Sequence, residues 1–282
     1  MASMGSSRFS QAARSNRRLG IIIDNFTLST WLCLAAGLYG TISYALPSAA
    51  RALLVLPLAV LILRTSDALL IMSGLRHNRW MDGVIEGTVT AIPPDAQDDL
   101  ASGGNNGNIV VFLVGARVNH PLGILAPGAK EFVDYFSSMA RDLEKERQDF
   151  GMLGASSWLA NKERSSDNDI LLIYYFRTVA GVEKFAHSES HRKGWEWYTK
   201  WSKQYKHLAL RHELYHVPAG HHENVFLNSH PTLVGATAWP LETSEKDGAG
   251  AWRSPLIAAD KKALRTMWGR MGKNSQELRT RE

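Results

Sequence analysis

The sequence predicts an α+β fold of βαββαβ order, preceded by an N-terminal pair of apolar helices. Residues 25–50 carry no charged side chain. Two later runs, IVVFLVGARV from Ile109 and ILLIYYF from Ile170, are apolar on both faces of a pleat, so both faces of those strands need cover. The segments following each run carry helical spacing, and a last β-patterned run begins at Leu208.

The N-terminal pair comes first. Residues 26–46 are long enough to cross a hydrocarbon core of about 30 Å at about 1.5 Å per residue. The run starts too far into the chain and extends too long for a cleaved signal peptide. After Pro47 and Arg51 a second apolar stretch, residues 52–63, continues past Arg64 and Asp67 into residues 68–75. Arg64 and Asp67, three apart, share a helix face and can pair, which lowers the cost of entering lipid. A two-helix transmembrane hairpin over residues 21–76 is therefore expected. The other reading, that residues 52–63 only dip into the bilayer, stays open. Arg8, Arg14, Arg17 and Arg18 on one flank and Arg76, His77 and Arg79 on the other put both ends in the cytosol by the positive-inside rule. The expected location is thus a membrane, multi-pass, with the following domain facing the cytosol.

The domain is expected over residues 81–231, between a basic tail (1–20) and a C-terminal tail (232–282). Residues 82–92 read as a short strand, and residues 93–107, rich in Pro, Asp, Gly and Asn, as a linker. Ile109–Val118 is the first buried strand. Asn119, His120 and Pro121 open a loop, because proline excludes helical geometry from the residue before it. Residues 129–149 form an amphipathic helix, with Phe132, Tyr135, Phe136, Met139 and Leu143 on one face. Residues 151–159 are a weaker strand, 161–168 a polar turn and Ile170–Phe176 the second buried strand. Residues 182–187 and 191–207 read as helix broken near Ser188–Ser190, and Leu208–Val217 closes the pattern. This order is the split βαβ arrangement of a ferredoxin-like sheet. A sheet with helices on one side leaves its other face wet, which the two greasy strands do not tolerate. An identical sheet from a second subunit would cover it and make a dimeric α/β-barrel; cover by the chain's own flanking segments is the alternative.

Composition narrows the chemistry. The formal charge of +5 gathers in the membrane flanks and the C-terminal tail, so no nucleic-acid partner is expected. Cys33, the only cysteine, lies in the first apolar run, which excludes an intrachain disulfide, a cysteine-built zinc site and thiolate catalysis in the domain. There is no GxGxxG, P-loop or GxSxG. Eight of ten histidines fall between His187 and His230. His187 and His191 could share a metal on one continuous helix, but the Ser188–Ser190 break opposes that, and no metal is expected.

The last strand is the more informative place. Period 2 puts His212 and His216 on one face and Arg211, Glu213 and Tyr215 on the other. His212 is the candidate general base, with Glu213 and Tyr215 as orienting or polarising partners and His187 beside them. The bland reading makes Arg211 and Glu213 a structural ion pair and the histidines edge residues. Trp197, Trp201 and Tyr205 form an i, i+4, i+8 stripe that serves as core or, with Trp195, walls a pocket for a flat substrate. Arg177, Asn119 and His120, at strand ends, are candidate polar contacts at its mouth.

Three segments carry a family resemblance: VVFLVGARVNHPLGILAPGAKEFVDYF from Val110, LLIYYFRTVAGVEKFAHSESHRKGWEWY from Leu171, and RHELYHVPAGHHENVFLNSHP from Arg211. Over roughly residues 110–231 the chain resembles a fungal and bacterial group of monooxygenase-like proteins allied to the antibiotic-biosynthesis monooxygenases of the dimeric α/β-barrel superfamily. The resemblance implies a homodimer whose subunit pockets lie between sheet and helices, and oxidation by molecular oxygen, often without metal or flavin. It also leaves a histidine-bound haem, or a dehydratase or cyclase, open. A membrane-anchored monooxygenase acting on a hydrophobic polyketide-like secondary metabolite, beside membrane lipid, is the resulting expectation; a non-catalytic membrane-bound binding protein is the alternative from another class.

Overall fold

A computed structural model describes residues 20, 22–93, 107–160, 169–240, 252–260 and 262–272. The basic N-terminal tail, the expected turn at 161–168 and nearly all of the linker at 93–107 lie outside them. The chain divides into two compact units, residues 1–83 and, apart from a short stretch at 163–165, residues 84–282.

The first unit is built on two helices, α1 (Leu28–Ala45) and α2 (Pro47–Met72), packed against each other. Thr27 caps α1 by accepting a hydrogen bond from the Thr30 backbone amide, at 3.2 Å. Pro47 explains the break between the helices: it cannot continue α1, but its fixed φ suits the first turn of α2. The expectation of two spanning helices is met only in part. Among the described residues one helix, α2, is long and apolar enough to cross a membrane. The shorter α1, with 18 residues, includes Ser29, Thr30, Thr41 and Ser43, and these polar groups dilute its apolar run. Asp67 pairs with Arg76 and, at 2.7 Å, with Arg79, both beyond the end of α2, where the sequence suggested Arg64. Those partners are out of reach of an i, i+3 reading because they depend on how the chain turns after the helix.

The second unit holds the predicted βαββαβ order. Strands β1 (Ile85–Ala91) and β2 (Ile109–Val118) are followed by α3 (Ala129–Lys145), β3 (Met152–Leu159) and β4 (Ile170–Phe176). Two short helices, α4 (Val179–Ala186) and α5 (Glu189–Trp201), lead to β5 (Leu208–Val217). Ser188 makes the break between them, its hydroxyl capping α5 by accepting from the His191 amide. The main sheet runs β3-β4-β2-β5 with every pair antiparallel, which is ferredoxin-like. On α3, Phe132 and Leu143 are buried, each worth about 2 kcal/mol of apolar burial.

Residues after 217 complete the unit. β6 (Phe226–Ser229) and β9 (Leu256–Ala258) flank β1 in a second antiparallel sheet, and β7 (Trp239–Pro240) pairs with β8 (Trp252–Arg253). Asn224 ties the chain to β1 through its side chain, accepting from the Ala91 amide at 2.7 Å and donating to the Ala91 carbonyl at 2.9 Å. Arg270 of the last helix, α6 (Met267–Arg270), pairs with Glu223.

These segments bear on the sheet's second face. Leu233, Val234 and Trp239 pack on Ile109, Val111, Ile173, Tyr175 and Val217, so the chain itself covers one half of that face. The other half stays open around Trp158 and Tyr215, 45% and 50% exposed. Both covers weighed from the sequence thus retain a place: the chain's own segment over one half, and room for a partner over the other.

Candidate active site

The helix-covered face of the sheet holds a cavity of about 520 Å³. Its floor is Phe112 and Val114 of β2, Leu172 and Tyr174 of β4, and Leu210 and His212 of β5. The roof is α3, through Phe132, Tyr135, Phe136 and Met139, and α5, through His191, Gly194, Trp195, Trp197 and Tyr198. The end of α4 and the residue after it contribute Ala186 and His187.

The strand register explains which groups enter. Val114 pairs with His212 and Phe112 with Leu214, so even-numbered residues of β2 and β5 face the helices and odd-numbered ones face away. The His212 ring packs against Phe112, with centroids 5.7 Å apart. On α5, Trp197 meets Tyr135 at 5.4 Å and Phe132 at 6.5 Å, and the Tyr198 hydroxyl donates to the Leu208 carbonyl. Gly194 lets the helices approach: a Cβ there would lie 3.2 Å from the Met139 methyl. The stripe of Trp197, Trp201 and Tyr205 divides between two roles, since Trp197 lines the cavity while Tyr205 packs on the core around Phe132 and stacks on Trp201.

Four of the residues singled out from the sequence meet at this cavity: His187, His212, Trp195 and Trp197. Five do not line it. Glu213 and Tyr215 stand on the opposite face of β5, where the tyrosine hydroxyl donates to the Glu213 carboxylate and raises the tyrosine pKa. An odd-numbered carboxylate cannot turn through the sheet to orient His212. Arg211 pairs with Asp169 at 2.6 Å, in place of the Glu213 partner considered above, and its side chain crosses Gly115, which leaves the space. Asn119 and His120 follow β2 at one end of the sheet, where the His120 ring lies 5.1 Å from His207. Arg177 follows β4, and its backbone amide donates to the Gly151 carbonyl. The mouth does not open at the strand ends where these three sit. The exposed members of the wall are Ala186, His187, Arg192, Trp195 and His212, a set drawn from the end of α4, its junction with α5, α5 and the edge strand.

Two features were missed in the sequence. Residues 212–216, HELYH, spell the HExxH letters of helical zinc sites. They lie on a strand, where residues four apart are separated by about 13 Å and cannot share one ion. Among the described residues no group of three His, Cys, Asp or Glu is placed to hold a metal. The second is the place of His191, weighed in the sequence only as a metal ligand. Despite the helix break it enters the same cavity as His187 and His212, and its ring meets Phe185 edge-on at 5.4 Å. Burial lowers its pKa, the neighbouring His212 and His187 lower it further, and a hydrogen bond to the Ala186 carbonyl opposes them.

The wall's ionisable groups are three imidazoles, three tyrosines and Arg192, with no carboxylate. Such a lining favours an anion over a cation.

Comparison with known proteins places this architecture. A family model described as monooxygenase af470-like matches residues 109–234, from the first residue of β2 to the segment that covers the second sheet face. The class is therefore that of an oxygenase enzyme, an oxidoreductase on an α+β scaffold. A curated fungal protein, "Monooxygenase af470" of Aspergillus fumigatus, is 30% identical over 251 residues, which span 89% of this chain and 89% of the relative. The chain belongs to the monooxygenase af470-like family. Among solved structures, an aldoxime dehydratase in complex with butyraldoxime aligns at 14% identity and a TM-score of 0.41, covering 53% of this chain and 39% of that one. SnoaB, a cofactor-independent oxygenase from Streptomyces nogalater, aligns at 16% identity and a TM-score of 0.28, covering 39% of this chain and 92% of the other.

Proposed function

We propose that the protein is a membrane-tethered monooxygenase of secondary metabolism that oxidises a flat, hydrophobic, polyketide-like substrate with molecular oxygen in the cavity between the sheet and α3–α5. The observation that carries this reading is the cavity wall itself: aromatic faces for a planar ligand, imidazoles to accept a proton, and no carboxylate to repel the resulting anion. Removal of a proton beside a carbonyl leaves an electron-rich enolate that can reduce dioxygen directly. At a methylene position the carbon loses two hydrogens and takes one oxygen atom as a carbonyl. The second oxygen atom leaves with those hydrogens as water, so four electrons pass from carbon to dioxygen. The protein's part is to hold the plane of the substrate, take the proton and stabilise the anion in a water-poor site.

The tether is α2, with α1 inserted beside it as a hairpin in the orientation that keeps the basic flanks cytosolic. A lipophilic substrate partitions into the bilayer and reaches such an enzyme at raised local concentration. The open half of the second sheet face, with Trp158, Glu213 and Tyr215, is where a second copy of the chain would pack, which gives those residues an interface role.

A haem-dependent reading on the same scaffold draws on the imidazoles, since any one could serve as an axial ligand. The purified full chain in detergent decides between them. Oxygen uptake on addition of dithranol, a flat phenolic ketone with an acidic methylene, and a spectrum without a Soret band are expected. A Soret band lost on histidine substitution would favour haem, and no uptake with any flat enolisable ketone would remove the oxygenase proposal.

A further inference from the structure

We propose that His191, in preference to His212 or His187, is the base that takes the substrate's proton. The proposal rests on the oxygenase reading above in so far as the proton comes from the oxidisable substrate.

The three imidazoles of the wall are held differently. His212 stands on an edge strand and His187 at the α4–α5 junction, both exposed. His191 is half-buried in the first turn of α5. Its ring lies edge-on to Phe185, at an interplanar angle of 67°. That contact, with the α5 backbone, orients this imidazole in the cavity wall, the task the sequence assigned to Glu213 at His212.

The surroundings agree with a base that rests uncharged. Burial, His212 and His187 all hold the His191 ring below the ordinary histidine range, so it is unprotonated at neutral pH and ready to accept. The other ionisable groups of the wall are Arg192 and the hydroxyls of Tyr135, Tyr174 and Tyr198. In the step itself the substrate's C–H bond breaks and an N–H bond forms on His191. The electron pair stays on the substrate as an enolate, facing an imidazolium and Arg192. Oxidation of that enolate by dioxygen follows, and the proton returns to the peroxide oxygen that departs in water.

The test uses the full chain in detergent with two probes. Umbelliferone, a flat phenol whose anion absorbs at longer wavelength than the acid, reports proton transfer inside the cavity; dithranol with oxygen reports turnover. Below the probe's own ionisation, the wild type is expected to bind umbelliferone as the anion. His191→Gln is expected to bind it with affinity changed less than about threefold, but as the neutral phenol, and to lose about 100-fold or more in kcat. His212→Gln and His187→Gln should keep the bound anion. Should His191→Gln not fold, His191→Ala takes its place, and added imidazole is expected to restore the anion. Persistence of the anion in His191→Gln, its loss in His212→Gln or His187→Gln instead, or its absence from the wild type would overturn the assignment. A wild type that ionises umbelliferone through His191 yet consumes no oxygen with dithranol would leave the base assigned and remove the oxygenase reading alone.

Discussion

His212 and Phe112 stand ring against ring across the β2–β5 pair, with centroids 5.7 Å apart and planes at 50°. The contact holds an imidazole in the floor of the cavity, while Glu213, one residue on, faces the opposite side of the sheet. His212→Ala removes a ring from the floor, worth about 0.5–1.5 kcal/mol of contact. Its expected effect is a rise in KM for dithranol of up to about tenfold, with a smaller change in kcat. Glu213→Gln and Tyr215→Phe should leave kcat/KM within about threefold, as measured by steady-state oxygen uptake.

Gly194 sets the height of the cavity roof. A Cβ at this position meets the flexible end of Met139 at 3.2–3.3 Å, so the clash is relieved by pushing that thioether toward the cavity. Gly194→Val should therefore weaken umbelliferone binding about tenfold or more, while stability changes by less than about 2 kcal/mol, since overpacking opposes the helix propensity gained by replacing glycine. Fluorescence titration and thermal unfolding of the same preparation measure the two effects.

Much of this arrangement was legible in the sequence. Ile109–Val118 and Ile170–Phe176 identify themselves as central strands because they are apolar on both faces, and the period of Arg211–His216 sorts its side chains into two faces. The identity of the face turned toward the helices was not legible, because with both faces apolar the pattern of β2 is symmetric. Glu213 stood opposite His212 by the same period, so naming it as the orienting partner of His212 ran against the strand pattern itself. His191 was set aside because the Ser188 break ruled out one continuous helix; the break turns α5 so that both histidines still meet the same hollow. The sheet formed by β1, β6 and β9 depends on pairings such as Thr88 with Leu227, and strands this short and this far apart in sequence leave no periodic signal.

Stability should depend on pH through two histidines. Burial lowers the pKa of His191 and of His222, whose ring donates to the Gly107 carbonyl at 3.1 Å. Both are harder to protonate folded than unfolded, so the unfolded chain binds more protons once pH falls below the ordinary histidine value of about 6.5. Their contribution is complete above that value and is lost as pH falls through the lowered folded values. Tm is expected to fall on acidification across this range, and the double variant His191→Gln, His222→Gln should show a shallower fall by calorimetry.

The tether makes its own prediction. Full-length chain expressed in a eukaryotic cell should stay with the membrane pellet after alkaline extraction. Replacing Val60 and Leu61, both outward on α2, with aspartate and arginine costs about 2.5–3.5 kcal/mol per charge for arginine or aspartate near the bilayer centre. The double variant should move into the supernatant.

The most direct measurement is mass spectrometry of the product formed from dithranol under isotopically labelled dioxygen, with the wild type beside Gly194→Val, whose displaced Met139 side chain narrows the cavity. One labelled oxygen atom in the product, with formation at least about tenfold slower in the narrowed variant, is the expected result. Label entering at the same rate with the cavity narrowed would mean that the chemistry happens elsewhere on the protein or in free solution.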